Sequence, residues 1–402
     1  MISLVLGAVL AQYSVKFSVL ELPKPEAKVV SIHAYLWRDK NYVKEEQAWR
    51  LICSVIGTNS LTYNASEVGF FGGSAGIRPR VVSSPDFLRV EVVSSPEKWK
   101  ESLALAASLV AQPNWRSNQW EEKEKVLAGT VLDSWSESLW PMPDFKEKLL
   151  EDEAANAHSR ILDRMGLRVI VEGSVGIGEA RQELEKVARL WSVPEYRVLS
   201  RFSEETKLPM TQNLAVTTYE MSGKPIRIGE KGSAAQFLAA VALGVGKGST
   251  LWETIREREG LAYRTEAVFW PTRGGFVPRL LMLRRAEAGE LQYSANMISG
   301  LEKAIESYDM IGLVRAKVMA EQILLHPNAF ASVYVDSENT LFGLPDDDLR
   351  WRGLLNGMGL PSVPLTRWVE MLNEVGEEEF QAAAKDMVDT ASFRVTQGVP
   401  GL

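Results

Sequence analysis

Cysteine occurs once in these 402 residues, at Cys53. An internal disulfide is therefore excluded, and so is a zinc site built mainly from thiolates. Cys53 stands in the apolar run Leu51–Ile56 with no histidine or lysine beside it to activate the thiol, and reads as a small core residue. Histidine is nearly as scarce. His33, His158 and His326 lie far apart, so no local pair has metal-ligand spacing. They read as a strand histidine, a helix-surface histidine and a helix-end residue before Pro327. Positive charge is not in surplus either: the net charge of -7 gives no electrostatic footprint for nucleic acid. No apolar run is long enough to span a bilayer as a helix, and no low-complexity tract argues for disorder.

What is present is ordinary globular composition, 46% apolar and 24% charged, in a chain long enough for two cores. Lys28–Trp37 is rich in β-branched and aromatic residues and reads as a strand. Glu45–Ile56 carries Ala48, Leu51, Ile52 and Val55 at helical spacing, with Gly57 as a stop. Strands at Ile77–Val82 and Phe87–Val93 flank the turn Ser84-Pro85-Asp86. Helical patterns follow at Pro96–Ala111, Ser117–Ser134 and Phe145–Asp163, then a strand at Leu167–Glu172 and a helix at Glu179–Trp191. Ser192–Asn213 has little periodicity. The second half repeats the order: a strand at Leu214–Met221, a helix at Ser233–Leu243, a glycine loop and another helix, strands at Leu261–Trp270 and Phe276–Arg284, and helices to a closing strand at Ser392–Gln397. Hairpins followed by runs of helices predict an α+β fold of two homologous domains, each a mainly antiparallel sheet packed with helices. The expected bounds are 13–195, a linker at 196–213, and 214–402.

The first eleven residues, MISLVLGAVLA, form a short apolar stretch with small residues at Val9 and Ala11. They read as an export signal without a basic n-region, which places the protein in the periplasm. The rival reading is a first β-strand or a frayed apolar start in a cytoplasmic protein.

The most specific stretch is Gly244–Tyr263, GVGKGSTLWETIREREGLAY. Ser249 or Thr250 can cap the next helix, and Gly260 can end it in the left-handed conformation. Arg256 then falls in the last turn of a helix and Tyr263 early on the following strand, where one corner can bring both to one opening. The glycines do not make a P-loop, because Gly246-Lys247-Gly248 breaks the required Gly-Lys-Ser/Thr. They do not make a dinucleotide loop either, because Gly244 follows a helical run. The pattern of Leu251, Ile255, Arg256, Gly260, Leu261 and Tyr263 after a glycine loop resembles the second-domain signature of the insulinase/pitrilysin (inverzincin) zinc peptidases. Leu167–Trp191 resembles the strand-loop-helix that ends that family's first domain, and Gly57-Thr58 resembles the Gly-Thr after its metal helix.

Active members of that family carry H-x-x-E-H, two histidines on one helix face around one zinc with a glutamate as general base. Anchored on Gly57-Thr58, the matching positions here are Ala48, Leu51 and Ile52, none of which binds zinc or moves a proton. Glu121, Glu122 and Glu124 fall where the third ligand would lie and read as a solvated helix face. Asp346-Asp347-Asp348 reads as a helix-start cluster. The resemblance therefore implies a non-catalytic, insulinase-like subunit with no cofactor of its own. Its partner would be a zinc-bearing subunit of the same family, and the pair would cleave a peptide substrate. Arg256 and Tyr263 would act in trans, Tyr263 on the oxyanion and Arg256 on the peptide, with Gly244, Gly246 and Gly248 contacting the substrate backbone. The alternatives are a structural assembly core, a peptide-binding protein, and a peptidase with an unorthodox site.

Overall fold

The computed structural model describes residues 15–38, 46–74, 76–115, 151–191, 216–262, 264–285, 290–305, 308–326, 340–341, 344–345 and 347–398. They fall into two compact units, one holding the described residues up to 191 and the other those from 216 onward. The expected linker at 196–213 lies outside the described residues, as does Met1–Ala11.

In the first unit the elements are β1 (Phe17–Pro23), β2 (Val30–Trp37), α1 (Glu46–Val55), α2 (Ala65–Ser74), β3 (Arg80–Ser83), β4 (Phe87–Ser94), α3 (Trp99–Ala111), α4 (Glu151–Met165), β5 (Leu167–Gly173) and α5 (Glu179–Ala188). The sheet runs β1-β5-β2-β4-β3. All neighbours are antiparallel except β1 and β5, where Phe17 pairs with Leu167 in parallel. The β3–β4 hairpin turns as its sequence predicts: the Ser84 hydroxyl accepts the N–H groups of Asp86 and Phe87 at 3.3 and 3.2 Å. Ile32, Ala34, Leu36, Leu88, Val90, Val169 and Val171 alternate along three strands and are all buried. Helix α3 packs across those strands.

In the second unit the elements are β6 (Val216–Ser222), α6 (Ser233–Gly244), a π-helix (Leu251–Arg258), β7 (Arg264–Thr272), β8 (Gly275–Arg285), α7 (Glu290–Ile305), α8 (Met310–Leu325), the short strands β9 (Thr340–Leu341) and β10 (Leu344–Pro345), α9 (Asp348–Met358), α10 (Leu365–Asn373), α11 (Glu377–Asp389) and β11 (Ser392–Gly398). The sheet runs β11-β6-β8-β7, antiparallel throughout. Helix α6 is apolar almost all round, as a helix enclosed on every side must be. It packs against β7, β8, α8, α10 and α11. Stacked rings fill the core around it: Phe237 lies 4.5 Å from Phe269, and Phe276 lies 5.2 Å from Trp351. The expected α+β class is what is found.

Among the described residues no helix is long and apolar enough to cross a membrane.

Candidate functional site

The glycine loop turns the chain from α6 into the π-helix, and its glycines do different jobs. A Cβ at Gly244 would lie 2.5 Å from the Cβ of Ala267 and 2.9 Å from its amide nitrogen, so glycine lets α6 end directly on β7. Gly246 has φ 79°, in the left-handed region. Gly248 meets nothing within 4 Å and has no such backbone need. Ser249 caps the helix, its hydroxyl accepting the Trp252 N–H at 3.3 Å. Gly260, at φ 61°, ends it as the sequence predicts.

The expected helix is present, and it is a π-helix rather than an α-helix. Its last turn closes through the Glu259 N–H to Thr254 O at 2.9 Å. Leu251 and Ile255 are wholly buried and anchor the element. Single π turns are rare and concentrate at functional positions.

Arg256 points away from those anchors with its side chain 35% exposed. Its guanidinium carbon stands 3.7 Å from the centroid of the Trp252 ring, and its Nε lies 3.7 Å from Glu257 Oε1. Lys247 from the glycine loop places its ammonium 5.6 Å from the same ring. Trp252 carried no signal in the sequence beyond its spacing of four from Arg256, which puts two side chains on one helix flank. Tyr263 lies outside the described residues, between buried Ala262 and the start of β7.

Beside this corner the second unit holds a half-open cavity of about 1020 Å³ between the π-helix, α7 and α8. Thr250, Glu253, Arg258, Gly248, Lys303 and Tyr308 are among its lining, whereas Arg256 is not. The Tyr308 hydroxyl bonds the Thr250 hydroxyl, and its ring stacks 5.3 Å from Phe380. Burial pushes that phenol well above its ordinary pKa.

In the first unit, Ala48, Leu51 and Ile52 are 1%, 3% and 0% exposed. They are core residues of α1, as is Cys53. Gly57 follows at φ 98°, with Val81 Cγ2 only 2.0 Å from where a Cβ would sit. His33 is a buried strand residue opposite Glu91 on β4. Glu91 also meets Arg89 at 2.7 Å, a buried ion pair between two residues on one face of β4.

His158 corrects the expectation of a surface histidine. It is 4% exposed on α4, with Nε2 2.8 Å from Val110 O, and burial lowers its pKa to about 4. The apolar stripe Ala154, Ala155, Ile161, Leu162 turns this flank inward. His326 is the exposed C-cap of α8. Asp347 and Asp348 are helix-start residues, accepting the Arg350 and Leu365 N–H groups at 2.7 and 2.8 Å. Asp346, Glu121, Glu122 and Glu124 lie outside the described residues. Among the described residues no cluster of three or more His, Cys, Asp or Glu side chains is arranged to hold a metal.

The chain matches no known sequence-family model and no curated protein. Solved structures are informative. A peptidase M16 inactive domain from Pseudomonas fluorescens superposes with a TM-score of 0.66 at 15% identity, over 96% of each chain. A protease from Helicobacter pylori gives 0.65 at 13% identity, covering 95% of this chain and 96% of its own. A conserved protein from Enterococcus faecalis gives 0.60 at 14% identity over 96% and 97%. The chain has the M16 peptidase fold. Within the M16 fold, the helix expected to bear the metal motif is here an apolar packing element, and the exposed chemistry of the described corner belongs to the second unit.

Proposed function

We propose that this chain is the non-catalytic partner in a two-chain zinc peptidase. The single observation that carries this is the contrast between the units. Ala48, Leu51 and Ile52 are sealed in the core with no donor atom, whereas Arg256 is held, partly exposed, at a capped and glycine-flanked helix end. A partner of the same fold would bring zinc on an H-x-x-E-H helix and supply the metal-bound water. Arg256 would hold the peptide through its planar donor fork, and Tyr263 would donate to the oxyanion. Of the three loop glycines, Gly248 is the one whose open surroundings admit a peptide backbone. Export to the periplasm belongs to the same proposal.

The test is co-expression with an H-x-x-E-H chain from the same genome, followed by cleavage of a quenched-fluorescent casein peptide. Activity is expected in the mixture and in neither chain alone. In the assembled pair, Tyr263→Phe is expected to lower kcat by ~10²-fold, the scale of one oxyanion donor, and Arg256→Ala to lower kcat/KM by ~10-fold or more. Undiminished cleavage in both variants would remove the role. A second reading, an inactive fold serving as an assembly core or peptide holder, is favoured by the similarity to a domain described as inactive. Pairing without any gain of cleavage would select it.

A further inference from the structure

We infer that Trp252 is a positioning residue that sets the direction of the Arg256 guanidinium. The inference rests on the proposed role of Arg256 and adds the residue through which that role depends on the helix.

Trp252 lies outside the fully buried face of its helix. Leu251, Thr254 and Ile255 carry the buried side of the π-helix, and Trp252 is only half-buried. The indole does touch Arg256 closely, at 3.7 Å from ring centroid to guanidinium carbon, well inside the range of a cation–π contact. An arginine at a helix end otherwise samples many rotamers. Stacking consumes the face of the guanidinium and leaves its in-plane N–H donors unused. Glu257 approaches from the Nε side. The terminal edge of the fork is thus the edge directed to a ligand, and the acceptor that matches it is a planar carboxylate or a peptide carbonyl. Lys247, near the same ring, adds a second positive charge to that neighbourhood.

Two measurements decide it. The first uses the full chain alone: the rate at which phenylglyoxal modifies Arg256, followed by peptide mass spectrometry. Trp252→Leu is expected to raise that rate by about fivefold, and Trp252→Phe, which keeps a ring, to hold it within about twofold. An unchanged rate in Trp252→Leu overturns the inference. The second uses the assembled pair and the casein peptide. Trp252→Leu should lower kcat/KM nearly as far as Arg256→Ala, Trp252→Phe should restore most of it, and the double variant should fall no lower than Arg256→Ala. Additive losses overturn the inference, because they mean that Trp252 acts apart from Arg256. If Arg256→Ala cleaves at the full rate, the proposed function of Arg256 fails by itself, and the labelling rates still judge whether the ring directs the guanidinium.

Discussion

Single residues in this chain separate cleanly into those fixed by packing and those left open. Gly57 and Gly248 illustrate the difference. At Gly57 the backbone is left-handed and Val81 occupies the space of a Cβ, so Gly57→Ala should cost about 2 kcal/mol or more in urea unfolding. Gly248→Ala should stay within about 0.5 kcal/mol, since its surroundings are empty. His158 supplies a pH dependence. Its folded pKa of about 4 lies below the ordinary 6.5 because burial disfavours the imidazolium. Between those values the unfolded chain binds a proton that the folded chain does not. Stability is therefore complete above about pH 6.5 and falls, by up to about 3 kcal/mol, as the pH drops towards 4. A His158→Gln chain should lose that slope when denaturant midpoints are compared at pH 7 and pH 5, whatever its absolute stability.

Elements with strong periodicity or punctuation were legible from the sequence, and those without were not. The closing strand, the β3–β4 hairpin and α6 fall within a few residues of expectation. Helix α2 was missed because Gly69, Gly72 and Gly73 give it poor helix propensity. What starts it is a reciprocal capping box: the Asn64 N–H donates to Glu67 at 2.8 Å while the Glu67 N–H donates to Asn64 at 3.0 Å. Asn64→Ala should thus destabilise the protein by about 1 kcal/mol, measurable as a lowered Tm. Strand β1 was missed because its partner is remote and its alternation is short. The spacing marks a helix at Leu251–Arg258 but not its type, because α- and π-helices present buried residues at similar intervals over two turns. Only the carbonyl reached by each N–H distinguishes them, and sequence does not record that. For the candidate site, the glycine loop, the cap at Ser249 and the stop at Gly260 were readable. The stacking of Arg256 on Trp252 was not, because an exposed arginine has several neighbours of suitable spacing and the widened helix chooses among them.

The whole molecule repeats one plan. In each unit a first strand leads through two helices into a hairpin and returns by helices to a last strand. The spatial order is last, first, third, second in both: β5-β2-β4-β3 and β11-β6-β8-β7. That order supports the two homologous domains expected from the repeated order of elements. It also aligns α1 with α6 and α2 with the π-helix, so Ala48, Leu51 and Ile52 and the Arg256 corner occupy different steps of the same repeat. Introducing the H-x-x-E-H residues on α1 should not create a metal site. Ala48→His, Leu51→Glu and Ile52→His together place three polar groups where exposure is 3% or less, and should cost several kcal/mol. Metal analysis of the purified triple variant should find no stoichiometric zinc, and a folded zinc-loaded chain would refute the assignment of α1 as core. Among the described residues of the first unit, one strand stands outside the repeated plan: β1, which pairs in parallel with β5, Phe17 against Leu167. The first described strand of this unit thus completes its sheet only with the unit's last strand. At a synthesis rate of about 5–20 residues per second, the interval is on the order of 10 s. For that time Phe17–Pro23 lacks its sheet partner, and the sheet can be completed only by adding β5 and β1 beside the β2-β4-β3 edge already made.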